Sequence, residues 1–134
     1  MASGLTFVLG GARSGKSRHA EELIASRPAP WAYIATAQAL DDEMAERIAH
    51  HRARRDESWQ TFDAPLDLPA TLASMPAGQP VLVDCLTLWL TNVMLAGHDV
   101  EARSRHLVSV LSRPHGHWVA VANEVGLGIV PDNA

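Results

Sequence analysis

Short apolar runs alternate with segments of helical period along this chain. Leu5-Thr6-Phe7-Val8-Leu9 is nearly continuous in apolar residues, the pattern of a parallel strand covered on both faces. Glycines punctuate residues 10–15. Residues 16–26 then predict a helix, with Leu23 and Ile24 three and four residues after Ala20 on a single face. Pro28 and Pro30 end it. Residues 31–35 predict a second strand. Asp41 and Asp42 suit the N-cap of a helix that runs to about Arg55. Residues 65–75 predict a weaker helix and residues 81–84 a third strand. Residues 86–95 predict an apolar helix closed by Gly97, and residues 101–111 a further helix with Leu107, Val108 and Leu111 on its apolar side. Residues 118–122 predict a fourth strand. This alternation predicts an α/β fold with a mostly parallel sheet, in a single domain over residues 1–134. Residues 76–80 read as a turn within that domain, and no repeat or low-complexity tract is present.

The glycine punctuation carries chemistry. Gly10, Gly11, Ala12, Arg13, Ser14, Gly15, Lys16 and Ser17 match G-x-x-x-x-G-K-[ST]. Glycines let backbone N–H groups curl around phosphate oxygens without Cβ clashes. The helix that follows adds its N-terminal dipole. Lys16 would reach the β- and γ-phosphates, and the Ser17 hydroxyl would ligate Mg²⁺. A chance match in a chain of this length is on the order of one in a few hundred, and the required strand before and helix after are both predicted.

In open parallel sheets, ligands bind beyond the carboxyl ends of the strands. Strand one delivers the glycine loop, strand two Ala35-Thr36-Ala37, strand three Asp84, and strand four Asn123-Glu124. Asp84 follows three apolar residues, as a Walker B acid does. The same residue type in that place also suits an N-cap for the helix at Leu86.

The helix after Asp41-Asp42 has the least ordinary composition. At about 100° per residue, Met44, Ile48 and His51 share one stripe, while His50 lies towards Glu46. Arg47, Arg54 and Arg55 flank His51. A neutral imidazole among guanidiniums suits nucleophilic attack on a nucleotide phosphorus. From the residues alone, the pattern describes more readily a half-buried structural histidine on a basic, solvated helix. His19, His98, His106, His115 and His117 lack ligand spacing beyond the pair His115-x-His117, which reads first as a surface loop.

Composition narrows the choice. Apolar residues make up 47% and charged residues 19%, so a packed core is expected and disorder is not. The net charge is −4 and the pI about 5.9, unlike a nucleic-acid binder's basic footprint. Apolar runs break before the length of a membrane span, and residues 1–4 show no signal-peptide n-region. Cys85 is the single cysteine, which excludes an internal disulfide framework and suits a cytoplasmic setting.

Five ordered blocks carry a family resemblance: residues 10–17, Tyr-Ile-Ala-Thr-Ala at 33–37, Asp-Asp-Glu-Met-x-x-Arg-Ile-x-x-His at 41–51, Val-Asp-Cys-Leu-Thr at 83–87, and Asn-Glu-Val-Gly-Leu-Gly-Ile-Val-Pro at 123–131. From Leu5 onward the chain resembles the bifunctional adenosylcobinamide kinase/adenosylcobinamide-phosphate guanylyltransferase family of cobalamin biosynthesis. The resemblance implies a RecA-like P-loop fold and two reactions: phosphorylation of adenosylcobinamide by ATP or GTP, then transfer of GMP from GTP through a histidine to adenosylcobinamide phosphate. It implies His51 as the nucleophile and Lys16 as the phosphate-binding lysine. It implies guanine-nucleotide contacts at residues 10–17, Ala35, Thr36, Ala37, Arg52, Ala53, Arg54, Arg55 and Asp84. Mg²⁺ would be held by Ser17 with Asp84 or Glu124. It also implies a ring-like homotrimer. Many relatives carry Arg-Pro where this chain has Arg55-Asp56, and relatives continue past the Gly-Ile-Val-Pro block with a further helix and strand, so the fold is expected to be C-terminally short. Two other readings of the glycine loop stay open: an ATP-only small-molecule kinase, and a non-catalytic GTP-binding domain.

Overall fold

The computed structural model describes residues 4–10, 16–37, 42, 45, 46, 49 and 57–123. In chain order these form β1 (Gly4–Gly10), α1 (Lys16–Ala25), β2 (Trp31–Ala35), β3 (Trp59–Asp63), α2 (Leu68–Ala73), β4 (Val81–Asp84), α3 (Leu86–Leu95), α4 (Val100–Leu111) and β5 (His117–Asn123). Asp42, Ala45, Glu46 and Ala49 also lie in helical backbone and are exposed. The rest of the helix predicted from Asp41 to Arg55 falls outside the described residues.

The strands form one sheet in the order β1-β5-β4-β2-β3, and every pairing is parallel. Side chains alternate across it with period two. Ala32 and Ile34 of β2, Val81 and Val83 of β4, and Trp118 and Ala120 of β5 point to one face, where they meet Leu68 and Leu72 of α2, Trp89 and Val93 of α3, and Leu107 and Leu111 of α4. Tyr33, Leu82, Val119 and Val121 point to the other face, where Ala20 and Ile24 of α1 cover them together with Val8. Ala20 and Ile24 stand one helical turn apart and are fully buried, while Arg18, His19 and Glu22 face solvent. Full burial of a side chain such as Ile24 contributes about 2–3 kcal/mol.

The strand β3 was absent from the sequence expectation. Its residues Gln60, Thr61 and Asp63 are exposed, and only Trp59 and Phe62 are half-buried. As an edge strand among the described residues it lacks the continuous apolar run that marks β2 and β4. Helix α2 is shorter than the predicted 65–75. Pro69 sits in its first turn, where no intrahelical N–H is needed. At the opposite edge β1 pairs only with β5 among the described strands. Its Phe7 and Leu9 are 52% and 64% exposed, on the face whose described helices cover β5, β4 and β2.

Helix boundaries follow local chemistry. Asp99 Oδ1 caps α4 by accepting from the Ala102 amide at 3.1 Å. After α3, the Gly97 amide donates to the Met94 carbonyl at 3.1 Å and the His98 amide to the Val93 carbonyl at 3.2 Å. This is a Schellman closure, and the φ of +77° at Gly97 is why glycine stands there.

Candidate nucleotide-binding and catalytic site

Parallel pairing puts the strand C-termini on one edge of the sheet, and the register aligns the predicted site residues there. Gly10 pairs with Asn123. Asp84 pairs with Val121 on one side and Ala35 on the other, and Ala35 pairs with Asp63. One strand, β5, therefore lies between the strand leading into the glycine loop and the strand bearing Asp84. At strand spacings of about 4.8 Å, their backbones are on the order of 10 Å apart. That is a span suited to a phosphate chain with its cation.

Lys16 is the first residue of α1 and follows the loop directly. The helix rests on β1, β4 and β5, on the face to which Leu82 and Tyr33 point. Its N-terminal amides thus stand at the same sheet edge as Asp84. Residues 11–15 of the loop and the side chains of Lys16 and Ser17 fall outside what is described.

Asp84 is not the cap of α3. Cys85 takes that place, with extended backbone and its Sγ accepting from the Leu88 amide at 3.4 Å. Cys85 is buried and forms no disulfide. The peptide bond between Asp84 and Cys85 is cis. The Asp84 carboxylate instead accepts a 2.5 Å hydrogen bond at Oδ2 from the Tyr33 hydroxyl. That length belongs to charge-assisted O–H···O⁻ bonds. The Tyr33 ring is 4% exposed and edge-on to Trp59 at 6.0 Å, which in turn packs at 5.1 Å on Trp31. Sequence reading assigned Tyr33 no role, because a tyrosine within an apolar strand reads as core.

Thr36 is fully buried. Its Oγ1 accepts from the Cys85 amide at 2.9 Å and donates to the Cys85 carbonyl at 2.8 Å. Its amide donates to the Asp84 carbonyl at 3.1 Å. Its carbonyl accepts from Asn92 Nδ2 at 2.7 Å, and the same nitrogen reaches the Pro65 carbonyl at 3.0 Å. Thr36 therefore ties the exit of β2 to the end of β4, with its side chain turned inward. Asn92, 5% exposed, shares the buried side of α3 with Trp89 and Val93. A lone amide on an apolar helical stripe is the signal that could have singled it out. Ala35 and Ala37 are half-buried at the sheet edge.

His51, Arg52, Ala53, Arg54, Arg55 and Glu124 lie outside the described residues, as do Gly11, Ala12, Arg13, Ser14 and Gly15. Of the remaining histidines, His19 and His106 are exposed. His115 donates from Nε2 to the Met75 carbonyl at 2.7 Å. His117 Nδ1 accepts from Arg27 Nη2 at 3.3 Å. Burial first, and then the Arg27 guanidinium, hold His117 below the usual imidazole range. A cation against one imidazole and a carbonyl on the other leave this pair unsuited to a metal, and both sit at the opposite end of the sheet from Asp84.

The donor types that Ser17 and Asp84 would offer fit Mg²⁺ chemically. A serine hydroxyl and one carboxylate are hard oxygen donors, and Mg²⁺ takes one or two such ligands together with substrate phosphates and water. Among the described residues no group of three His, Cys, Asp or Glu side chains gathers into an all-protein metal cage. Among the same residues no helix is long and apolar enough to cross a membrane.

Comparison with known proteins places the chain. The family model described as cobinamide kinase / cobinamide phosphate guanyltransferase matches residues 6–134. The bifunctional adenosylcobalamin biosynthesis protein CobP of Pseudomonas aeruginosa is 52% identical over 128 residues, covering 93% of this chain and 74% of its own length. The bifunctional adenosylcobalamin biosynthesis protein CobU of Escherichia coli is 40% identical over 145 aligned residues, covering 96% of this chain and 80% of its own. CobU of Salmonella typhimurium is similar to the same extent. The match runs through the glycine loop, the Asp84 strand and the His51 segment alike, and the chain belongs to the cobinamide kinase / cobinamide phosphate guanyltransferase family.

Proposed function

We propose that this chain, as a single P-loop domain, phosphorylates adenosylcobinamide with a nucleoside triphosphate and then transfers GMP from GTP to adenosylcobinamide phosphate. The observation that supports this reading most is the union of a family match over residues 6–134 with an Asp84 strand end on the α1 face, beside the glycine loop's helix. The products would be adenosylcobinamide phosphate and adenosylcobinamide-GDP. The reading includes a cytoplasmic setting and a homo-oligomer, a trimer by resemblance.

One triphosphate site serves both reactions in this proposal. Backbone amides of residues 10–15 and the α1 dipole receive the phosphates, and Lys16 neutralises charge on the β- and γ-groups. Ser17 and Asp84, with Glu124 as the further acid, would hold Mg²⁺. When bound, that ion offsets the charge that develops on the phosphate oxygens. Thr36, through Cys85, keeps the end of β4 in register with β2 so that Asp84 stays at the sheet edge. Arg52, Ala53, Arg54 and Arg55 follow His51 in the chain, and the three guanidiniums would attract the nucleotide's phosphates.

For guanylyl transfer, His51 attacks the α-phosphorus of GTP in line. The N–P bond forms, the bond from the α-phosphorus to the bridging oxygen breaks, and pyrophosphate leaves carrying that electron pair. A phosphate oxygen of adenosylcobinamide phosphate then attacks the same phosphorus, the N–P bond breaks, and the imidazole is regenerated. Two displacements replace one difficult exchange. His51 falls in the helix predicted from Asp41 to Arg55, so this reading expects that predicted helix to move towards the nucleotide in the step. The kinase step rests on positioning, since phosphoryl transfer asks little of a strong base.

The test is product analysis. Incubation with adenosylcobinamide, ATP, GTP and Mg²⁺ should yield adenosylcobinamide-GDP and pyrophosphate. Formation of adenosylcobinamide phosphate alone would reduce the assignment to a kinase, and GTP binding without either product would reduce it to a nucleotide-binding domain.

A further inference from the structure

We propose that Tyr33 is a positioning residue for Asp84: its hydroxyl holds Oδ2 of the carboxylate so that Oδ1 faces the cation on the bound triphosphate. The inference rests on the reading of Asp84 as the metal-side acid and deepens it.

The geometry supports a tether more than a packing role. The ring belongs to the buried cluster beneath α1, with Val8, Ala20, Ile24 and Leu82, where a phenylalanine would fill the same volume. Its hydroxyl reaches the one acidic group at the end of the neighbouring strand, at 2.5 Å. Tyr33 stands opposite Leu82, and Ala35 opposite Asp84, so the phenol runs along the sheet face to the carboxylate. Trp59 meets the ring edge-on and is itself backed by Trp31, which restricts how the ring can tilt. Among the described residues, Asp84 Oδ1 has no protein hydrogen bond, whereas Oδ2 is held. A carboxylate anchored through one oxygen presents the other in a defined direction without the freedom of two side-chain torsions. That is the economy expected of a cation ligand contributing a single oxygen.

Tyr33 is the chain's only tyrosine, which makes the proposal directly testable. Binding of α,β-methylene-GTP, which cannot donate GMP, is measured against Mg²⁺ concentration for wild type, Tyr33→Phe, Asp84→Asn and the double variant. Tyr33→Phe should keep the Mg²⁺-free affinity and raise the Mg²⁺ concentration at half-effect about tenfold, as expected for loss of a hydrogen bond to a charged group. It should add nothing on the Asp84→Asn background. A curve superimposed on wild type, with or without a lowered unfolding temperature, would leave Tyr33 a core residue and overturn the proposal. So would an equal shift on both backgrounds. If Asp84→Asn itself leaves the Mg²⁺ dependence unchanged, the reading of Asp84 fails, and the role of Tyr33 with it. As a measurement needing no destabilising change, wild-type protein grown with 3-fluorotyrosine gives one ¹⁹F resonance. That resonance should move when Mg²⁺ is added to the nucleotide complex and stay in place in Asp84→Asn. A resonance that ignores Mg²⁺ in wild type would contradict the tether.

Discussion

Thr36 and Cys85 clasp one another. The Cys85 amide donates to Thr36 Oγ1 at 2.9 Å, and that hydroxyl returns its proton to the Cys85 carbonyl at 2.8 Å. Both residues are buried, and the bond pair joins the exit of β2 to the first residue after Asp84. A hydroxyl is the smallest side-chain group able to serve both polar atoms of one residue at once.

Replacing Thr36 by valine keeps the shape and removes both bonds, taking the Oγ1 acceptor from the buried Cys85 amide while the Cys85 carbonyl keeps the Trp89 amide at 3.2 Å. The expected cost is about 1–3 kcal/mol, read as a lower urea midpoint with unchanged slope. Because the Asp84 strand end then keeps only its backbone ties to β2, the nucleotide affinity should fall as well. A valine variant with wild-type stability would contradict this account of the clasp.

Lys16 opens α1 beside the glycine loop. If it serves the β- and γ-phosphates, Lys16→Ala should weaken GTP binding by about 2 kcal/mol or more, the scale of losing one partner of a desolvated charge pair, while changing GMP binding little. Calorimetric titration with both nucleotides measures the difference. Equal losses for GTP and GMP would place the lysine elsewhere on the ligand.

Gly116 precedes β5 where no side chain fits. A Cβ there would collide with the Gln79 backbone carbonyl, and Gln79 is itself tied through Nε2 to the Pro30 and Pro80 carbonyls at 2.8 and 3.0 Å. Since backbone cannot yield as a flexible side chain does, Gly116→Ala should destabilise by about 1–3 kcal/mol. Thermal unfolding should show this as a clear drop, with nucleotide affinity at the distant sheet edge preserved in the folded fraction.

His117 predicts an acid sensitivity. Burial and the Arg27 cation depress its folded pKa, so the unfolded chain binds the proton more readily. The stability it contributes is complete above the unfolded imidazole value of about 6.5. It is lost as the pH falls through that value towards the depressed folded one. The unfolding temperature should therefore drop between neutral pH and pH 5, and His117→Gln should flatten that dependence. A steeper dependence in the variant would reverse the assigned sign.

What could be read from residue order depended on how much each element buries. Strands β2 and β4 lie inside the sheet, covered on both faces, and their apolar runs Trp31–Ala35 and Val81–Asp84 coincide with the expected bounds. Strand β3 escaped because Gln60, Thr61 and Asp63 face solvent at an edge, where no burial shapes the sequence. The glycine loop carries a residue pattern of the kind phosphate binding would demand at fixed spacing, and its residues 11–15 lie outside the described residues. The choice between cap and site for Asp84 was not legible, since an acid before a helix satisfies both patterns until Cys85 is seen to hold the cap. Tyr33 and Asn92 were hidden for a related reason: their partners, Asp84 and the Thr36 carbonyl, lie 51 and 56 residues away in the chain. Pairings so distant leave no local pattern.

In the proposed mechanism, His51 carries GMP covalently between GTP and the corrinoid phosphate. Intact-mass spectrometry of the chain after incubation with GTP and Mg²⁺, followed by peptide mapping, tests it most directly. One acid-labile GMP adduct located on His51 is expected, with pyrophosphate released, and none on His51→Ala. Absence of the adduct from wild type, or its persistence in His51→Ala, would contradict it.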